Sequence, residues 1–253
     1  MCNTCGCGNN GDHHHHHDHD HDHDHDHDHN HSHAQNEGKV TISLEREILE
    51  TNNRLAERNR GFFEARNIFA VNLVSSPGSG KTTLLEKTLQ SMQGKLKFYV
   101  IEGDQQTSND AARIEATGVP VVQVNTGSGC HLDALMVNRA LKELDPAADS
   151  VLFIENVGNL ICPAMFDLGE ETRVVVMSVT EGEDKPLKYP DIFRSADMCV
   201  VNKTDLLPYL DFNVARAIAN GLHVNGNLKF IELSAKTGEG MEEWFRWISA
   251  NSR

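Results

Sequence analysis

No stretch of this 253-residue chain approaches the roughly 20 consecutive apolar residues that a membrane-spanning helix needs. The N-terminus has neither a basic segment nor an apolar one behind it, so no secretory signal is expected. Residues 1–38 contain no Lys or Arg, yet they hold eight acids. That tail supplies much of the formal net charge of −14, and the remaining residues carry 29 acids against 23 bases. A chain short of basic residues is not built for nonspecific attachment to nucleic acid or to an anionic membrane, and neither partner is expected. With no signal, the six cysteines read as thiols or metal ligands rather than disulfides, and the expected compartment is the cytoplasm.

Against those absences stands Val71–Thr83, VNLVSSPGSGKTT. An apolar run ends in a Gly-rich turn, then Lys-Thr-Thr, then a helical pattern. This is the order of a phosphate-binding loop. Gly78, Ser79 and Gly80 let backbone N–H groups turn inward around a phosphate. Lys81 is placed to reach the β- and γ-phosphates, Thr82 to sit on Mg²⁺, and Thr83 to continue the helix N-terminus with its favourable dipole. The first glycine of G-x-x-x-x-G-K-[ST] is missing, and Ser75 takes its place.

Beyond this loop, short apolar runs alternate with helical patterns. Strands are expected at 69–75, 97–102, 120–124, 150–155, 173–179, 198–202 and 229–233. Helices are expected at 82–93, 107–117, 131–144, 160–168 (short), 186–195, 212–221 and 239–250. A further helix over 40–66 has Leu44, Ile48, Leu55 and Phe62/Phe63 at helical spacing, with the segment NNRLAERN on its polar face. The alternation implies an α/β fold: a P-loop NTPase domain with a mostly parallel sheet flanked by helices, preceded by a disordered Cys/His-rich tail. The expected division is a metal-binding tail at 1–38 and a nucleotide domain with its N-terminal helix at 39–253.

Ligands of such a sheet gather at the carboxyl ends of its strands. Three clusters fall there. In Ile101–Thr107, IEGDQQT, Asp104 is a candidate for Mg²⁺, directly or through water. In Val151–Asn159, VLFIENVGN, Glu155 takes the place of a Walker-B acid and Gly158 offers a backbone N–H to a γ-phosphate. Val200–Asp205, VVNKTD, supplies Asn202, Lys203 and Asp205 in the N-K-x-D pattern. The carboxylate there accepts from guanine N1–H and the 2-amino group, a donor pair adenine lacks. Downstream, Ser234, Ala235 and Lys236 form the usual partner loop, with the Ala235 N–H expected at guanine O6. Phosphate loop, N-K-x-D and S-A-K in that order specify GTP. No arginine finger or Ras-like glutamine stands out, so intrinsic hydrolysis is expected to be slow.

Two further clusters suit metals. Cys2, Cys5 and Cys7 lie in MCNTCGCG, where thiolates favour soft and borderline cations and the glycines let the chain wrap closely. Residues 13–33 follow, five consecutive histidines and then alternating His and Asp. No core can form from them, and their overlapping imidazoles suit storage of Ni²⁺, Cu²⁺ or Zn²⁺. Alternating His-Asp is unlike a usual purification tag, and a cysteine motif lies upstream of it. Cys130-His131 follows TGSG, and Cys162 follows Gly158–Ile161. Together they would make a three-ligand site, or else two structural cysteines and a helix-capping histidine.

The segments MCNTCGCG, NNRLAERNR, NLVSSPGSGKTTLL, NTGSGCHLDA, FIENVGNLICPA, SVTEGEDKPLKYP and NKTDLLPYL, with the His-rich tract, closely resemble the HypB family, GTPases that help insert nickel into [NiFe]-hydrogenase. The resemblance spans essentially the whole chain, and the family shares the serine at position 75. It implies a nickel motif at Cys2, Cys5 and Cys7 and a second metal site, for Ni²⁺ or Zn²⁺, at Cys130, His131 and Cys162. It further implies a dimer favoured by nucleotide or metal, a HypA-type nickel chaperone as partner, and a hydrogenase large-subunit precursor as recipient. The alternative is a nickel-storage protein with a regulatory nucleotide domain.

Overall fold

In the computed structural model, residues 33–104, 109–127 and 129–252 are described, with side chains from 46 onward except that of residue 109. Cys2, Cys5, Cys7 and the His-rich tract up to Ser32 lie outside the described residues. Helix α1 runs His33–Ala65, and the compact unit Glu47–Arg253 takes it in from Glu47 onward.

The strands are β1 (Ile68–Ser75), β2 (Phe98–Asp104), β3 (Val121–Asn125), β4 (Ser150–Glu155), β5 (Thr172–Ser178), β6 (Met198–Asn202) and β7 (Lys229–Glu232). They form one sheet in the order β3-β2-β4-β1-β5-β6-β7, and every neighbouring pair is parallel. The central strands β1 and β4 are buried along their whole length, which explains their continuous apolar runs. Alternate residues serve opposite faces. Phe69, Val71 and Leu73 pack with helices α2 (Lys81–Met92), α3 (Asn109–Glu115) and α8 (Met241–Asn251). Ile68 and Ala70 face α1 and α4 (Ala134–Leu144). Val74, Val175 and Val201 pack with the short helix α6 (Pro190–Arg194) and with α7 (Val214–Val224), and α5 (Lys185–Lys188) packs on α7.

Some boundaries differ from expectation. The helix expected at 186–195 is split at Pro190, which opens α6 because it cannot continue α5. The one expected at 160–168 is a 3-10 turn, Cys162–Met165. Cys130 and His131 do not begin a helix. Asp133 caps α4 by accepting the Met136 N–H at 2.7 Å, so both metal candidates sit in the loop before it. The buried face of α1 matches the expected one at Phe63 but not along its length. Ile48 is half exposed, whereas Asn52, Ala56, Asn59 and Phe63 form the buried stripe. The asparagines go inside because they satisfy backbone groups of the first residue of α4 and of the 167–168 loop, as described below.

Candidate nucleotide and metal site

Ser75, Asp104, Glu155 and Asn202 each end a strand, so the parallel sheet brings them to one edge. The phosphate loop crosses that edge between β1 and α2. Gly80 must be glycine: its φ is +97°, and a Cβ there would lie 2.6 Å from Asn202 Nδ2. The Lys81 ammonium is buried and donates to Ser75 Oγ at 3.0 Å. The serine that replaces the motif's first glycine is therefore an acceptor for the loop's own lysine. Burial pulls the Lys81 pKa down, against the field of Glu155.

Thr82 donates its hydroxyl to Glu155 Oε1 at 2.6 Å. In the sheet register Glu102 of β2 is the direct neighbour of Glu155 of β4, so the two carboxylates share a face. Glu102 Oε2 and Glu155 Oε2 are both buried without a hydrogen-bond partner. Burial pushes both acids up. Glu102 reaches about 8, helped by the charges of Glu155, Asp104 and Asp110, while Lys81 and Thr82 restrain Glu155. Orphaned carboxylate oxygens beside a threonine hydroxyl are the hard-oxygen donor set that fits Mg²⁺.

The guanine-reading loop is physically joined to the phosphate loop. Asn202 donates to Ser79 O at 2.9 Å and accepts the N–H groups of Lys203 at 2.8 Å and Ala235 at 3.0 Å. Lys203, in the left-handed conformation at φ 64°, donates its ammonium to Gly78 O at 2.6 Å. Ser234 Oγ donates to Asp205 Oδ1 at 2.6 Å and fixes that carboxylate. The Ala235 N–H, expected at guanine O6, is held by Asn202. Lys236 is exposed, and Thr83 Oγ1 accepts from Arg113 at 3.2 Å.

From Glu155 the chain runs directly to the metal candidates. Asn156 Oδ1 accepts the Leu132 N–H at 3.1 Å, and Asn159 Nδ2 donates to Cys130 O at 3.3 Å. Between them Gly158 lies against Pro77 of the phosphate loop, where a Cβ would be 3.1 Å from Pro77 Cα. Cys130, His131 and Cys162 have ligand atoms within 4.8 Å of one another. The Cys130 and Cys162 sulfurs are 2.7 Å apart, and His131 Nδ1 is 3.8 Å from Cys130 Sγ. The imidazole rests on the Phe166 ring at 4.0 Å. Burial pulls the His131 pKa down, which favours the neutral, ligating form, while Asp133 opposes the shift. Two thiols and a neutral imidazole suit Zn²⁺ or Ni²⁺.

The family model of the CobW/HypB/UreG nucleotide-binding domain matches residues 69–232. The hydrogenase maturation factor HypB of Rhizobium leguminosarum bv. viciae is 58% identical over 211 residues, covering 83% of this chain and 71% of that one. HypB from Archaeoglobus fulgidus has a TM-score of 0.76 at 41% identity, over 81% of this chain and 100% of the other. The chain belongs to the HypB family. A second HypB structure, from Helicobacter pylori in complex with nickel, has a TM-score of 0.75 at 35% identity, over 80% of this chain and 95% of the other.

The HypB membership makes this a nucleotide-binding maturation factor of the P-loop class. Among the described residues, no helix is long and apolar enough to cross a membrane. The sequence pattern missed Glu102. Its signal was an acid inside an otherwise apolar strand, two residues before Asp104 and therefore on the same face. Asn156 and Asn159 were also missed, because an asparagine in a loop gives no hint of which carbonyl or N–H it will meet.

Proposed function

We propose that this chain is a slow GTPase whose nucleotide cycle gates a nickel site, delivering nickel to a [NiFe]-hydrogenase large-subunit precursor. The observation that carries this is the single segment Glu155–Cys162. It bonds Thr82 at its start, packs on Pro77 in its middle and ends at Cys162 beside Cys130. Asp205 accepts from guanine N1–H and the 2-amino group. Lys81 and the N–H groups of Gly78–Thr83 meet the phosphates. A water attacks the γ-phosphorus as the bond to the β–γ bridging oxygen breaks, and the loop's cation and amides offset the charge that develops. Thr82, Glu155, Glu102 and Asp104 would hold Mg²⁺, which supplies further charge neutralisation when bound.

Nickel is the cargo in this scheme, held at Cys130, His131 and Cys162 and at the N-terminal Cys2, Cys5 and Cys7; the first of these sites also suits zinc. The His-rich tract adds storage. A homodimer favoured by nucleotide or metal and a HypA-type chaperone complete the scheme. The test is nickel affinity of a Cys2/Cys5/Cys7→Ala, tract-deleted chain with GDP and with a non-hydrolysable GTP analogue, at matched oligomeric state. A difference within the 5–150-fold range of coupled sites is expected, on the order of 1–3 kcal/mol. Equal affinities would make the cluster a static site.

A further inference from the structure

The asparagines of α1 sit in a position the proposed chemistry does not use. Asn52 donates to Asp167 O at 2.8 Å and accepts the Ala134 N–H at 2.9 Å. Asn59 donates to Ala134 O at 2.9 Å and to Leu168 O at 3.0 Å, and its own oxygen accepts from Asn138 at 2.9 Å. Each asparagine thus bonds both α4, at Ala134, and the loop at 167–168. Ala134 is three residues past His131, and Asp167 and Leu168 are five and six past Cys162.

Both side chains are deeply buried, Asn52 at 5% and Asn59 at 0% exposure. The Ala134 N–H belongs to the first turn of α4 and has no partner within its own helix, so Asn52 caps α4 from outside. The 167–169 turn lies directly on α1: Gly169 has φ +88°, and a Cβ there would fall 2.4 Å from Ala56 O. Asn156 and Asn159 hold the loop carrying Cys130 and His131 at Leu132 and Cys130, while α1 holds Ala134, where that loop enters α4, and also the turn after Cys162.

We propose that Asn52 and Asn59 are positioning residues for the metal cluster: they clamp the start of α4, into which the Cys130–His131 loop runs, and the turn after Cys162 to one helix, so that two thiols and an imidazole from different loops converge on one ion. This rests on the metal reading of Cys130, His131 and Cys162. It makes α1 the fixed frame against which the Glu155–Cys162 segment can shift.

The probe is Ni²⁺ alone, titrated into the full chain carrying Cys2/Cys5/Cys7→Ser. It is read by the thiolate-to-metal charge-transfer absorption, which the His-rich tract does not give, with a chelator competition for affinity. The parent is expected to show the band and its Cys130→Ser derivative to lose it. Asn52→Ala and Asn59→Ala are each expected to shift the band and weaken nickel about tenfold or more, the usual cost of losing support behind a metal ligand, while GDP affinity is unchanged. Asn52→Asp keeps the acceptor for the Ala134 N–H and loses the donor to Asp167 O. It decides the matter if an alanine variant fails to fold: nickel weakened with GDP affinity intact supports the clamp. Unchanged nickel affinity and spectrum overturn it, as does a parallel loss of GDP binding or folding in Asn52→Asp, which would make the asparagines merely structural. A parent without the band would remove the metal reading itself.

Discussion

Replacing Asn202 with alanine would remove the joint between base recognition and phosphate recognition. Its side chain, 1% exposed, makes three hydrogen bonds of 2.8–3.0 Å. The Lys203 N–H lies at a partly exposed position and can turn to water. Ser79 O and the buried Ala235 N–H would be left inside a dry contact, at about 1–3 kcal/mol each, so about 2–6 kcal/mol in all. For a unit of this size, about 2–4 °C of melting temperature is lost per kcal/mol, which predicts a midpoint lower by about 4–24 °C. The loss should be larger for the GDP-bound form than for the apoprotein, because nucleotide requires both loops in register. Calorimetry of Asn202→Ala with and without GDP measures both quantities. Asn202→Asp refines the test, since it retains the two acceptor bonds and turns a carboxylate toward Ser79 O. A variant that melts with the parent and binds GDP equally well would refute the joint.

Asp205→Asn should lose GTP and gain xanthosine triphosphate, whose 2-oxo group accepts from an amide. Each charge-assisted bond lost is worth on the order of 1.5–3 kcal/mol, and normal GTP turnover in the variant would remove the base assignment. Glu102, pushed up to about 8 from its ordinary 4.5 by burial and the neighbouring carboxylates, is mostly protonated at pH 7 and mostly ionised at pH 9. Mg²⁺ uptake should therefore release a proton at pH 7, less at pH 9, and less still in Glu102→Gln, as read by calorimetry in buffers of different ionisation enthalpy. The sign for stability follows: the folded metal-free protein binds this proton more tightly than the unfolded chain, so stability falls as pH rises from 4.5 to about 8, and Glu102→Gln flattens that slope.

Most of the sheet was legible because its strands are short, mostly apolar runs with polar residues at their ends, as at Ile68–Ser75 and Ser150–Glu155. The nucleotide loops were legible because their chemistry is local in sequence. Other features depend on non-local pairing. The Glu102–Glu155 neighbourhood comes from strand register, which residue periodicity does not specify. The α1 stripe was misread because Asn52 and Asn59 look like surface residues, and only the facing backbone of residues 134, 167 and 168 explains their burial. The start of α4 was recoverable in principle, since Asp133 is a strong helix-capping residue three positions before Met136.

Ser75 has a consequence for how such loops are found. It ends β1 in extended backbone, whereas Gly78 and Gly80 have φ of +74° and +97°. The first position of the phosphate motif here asks only for a small residue that fits the strand end, and a hydroxyl there adds an acceptor for Lys81. A genome search that insists on glycine at that position would discard this chain and every relative that shares its serine. A pattern anchored on the two left-handed positions and the Lys-Thr pair would keep them.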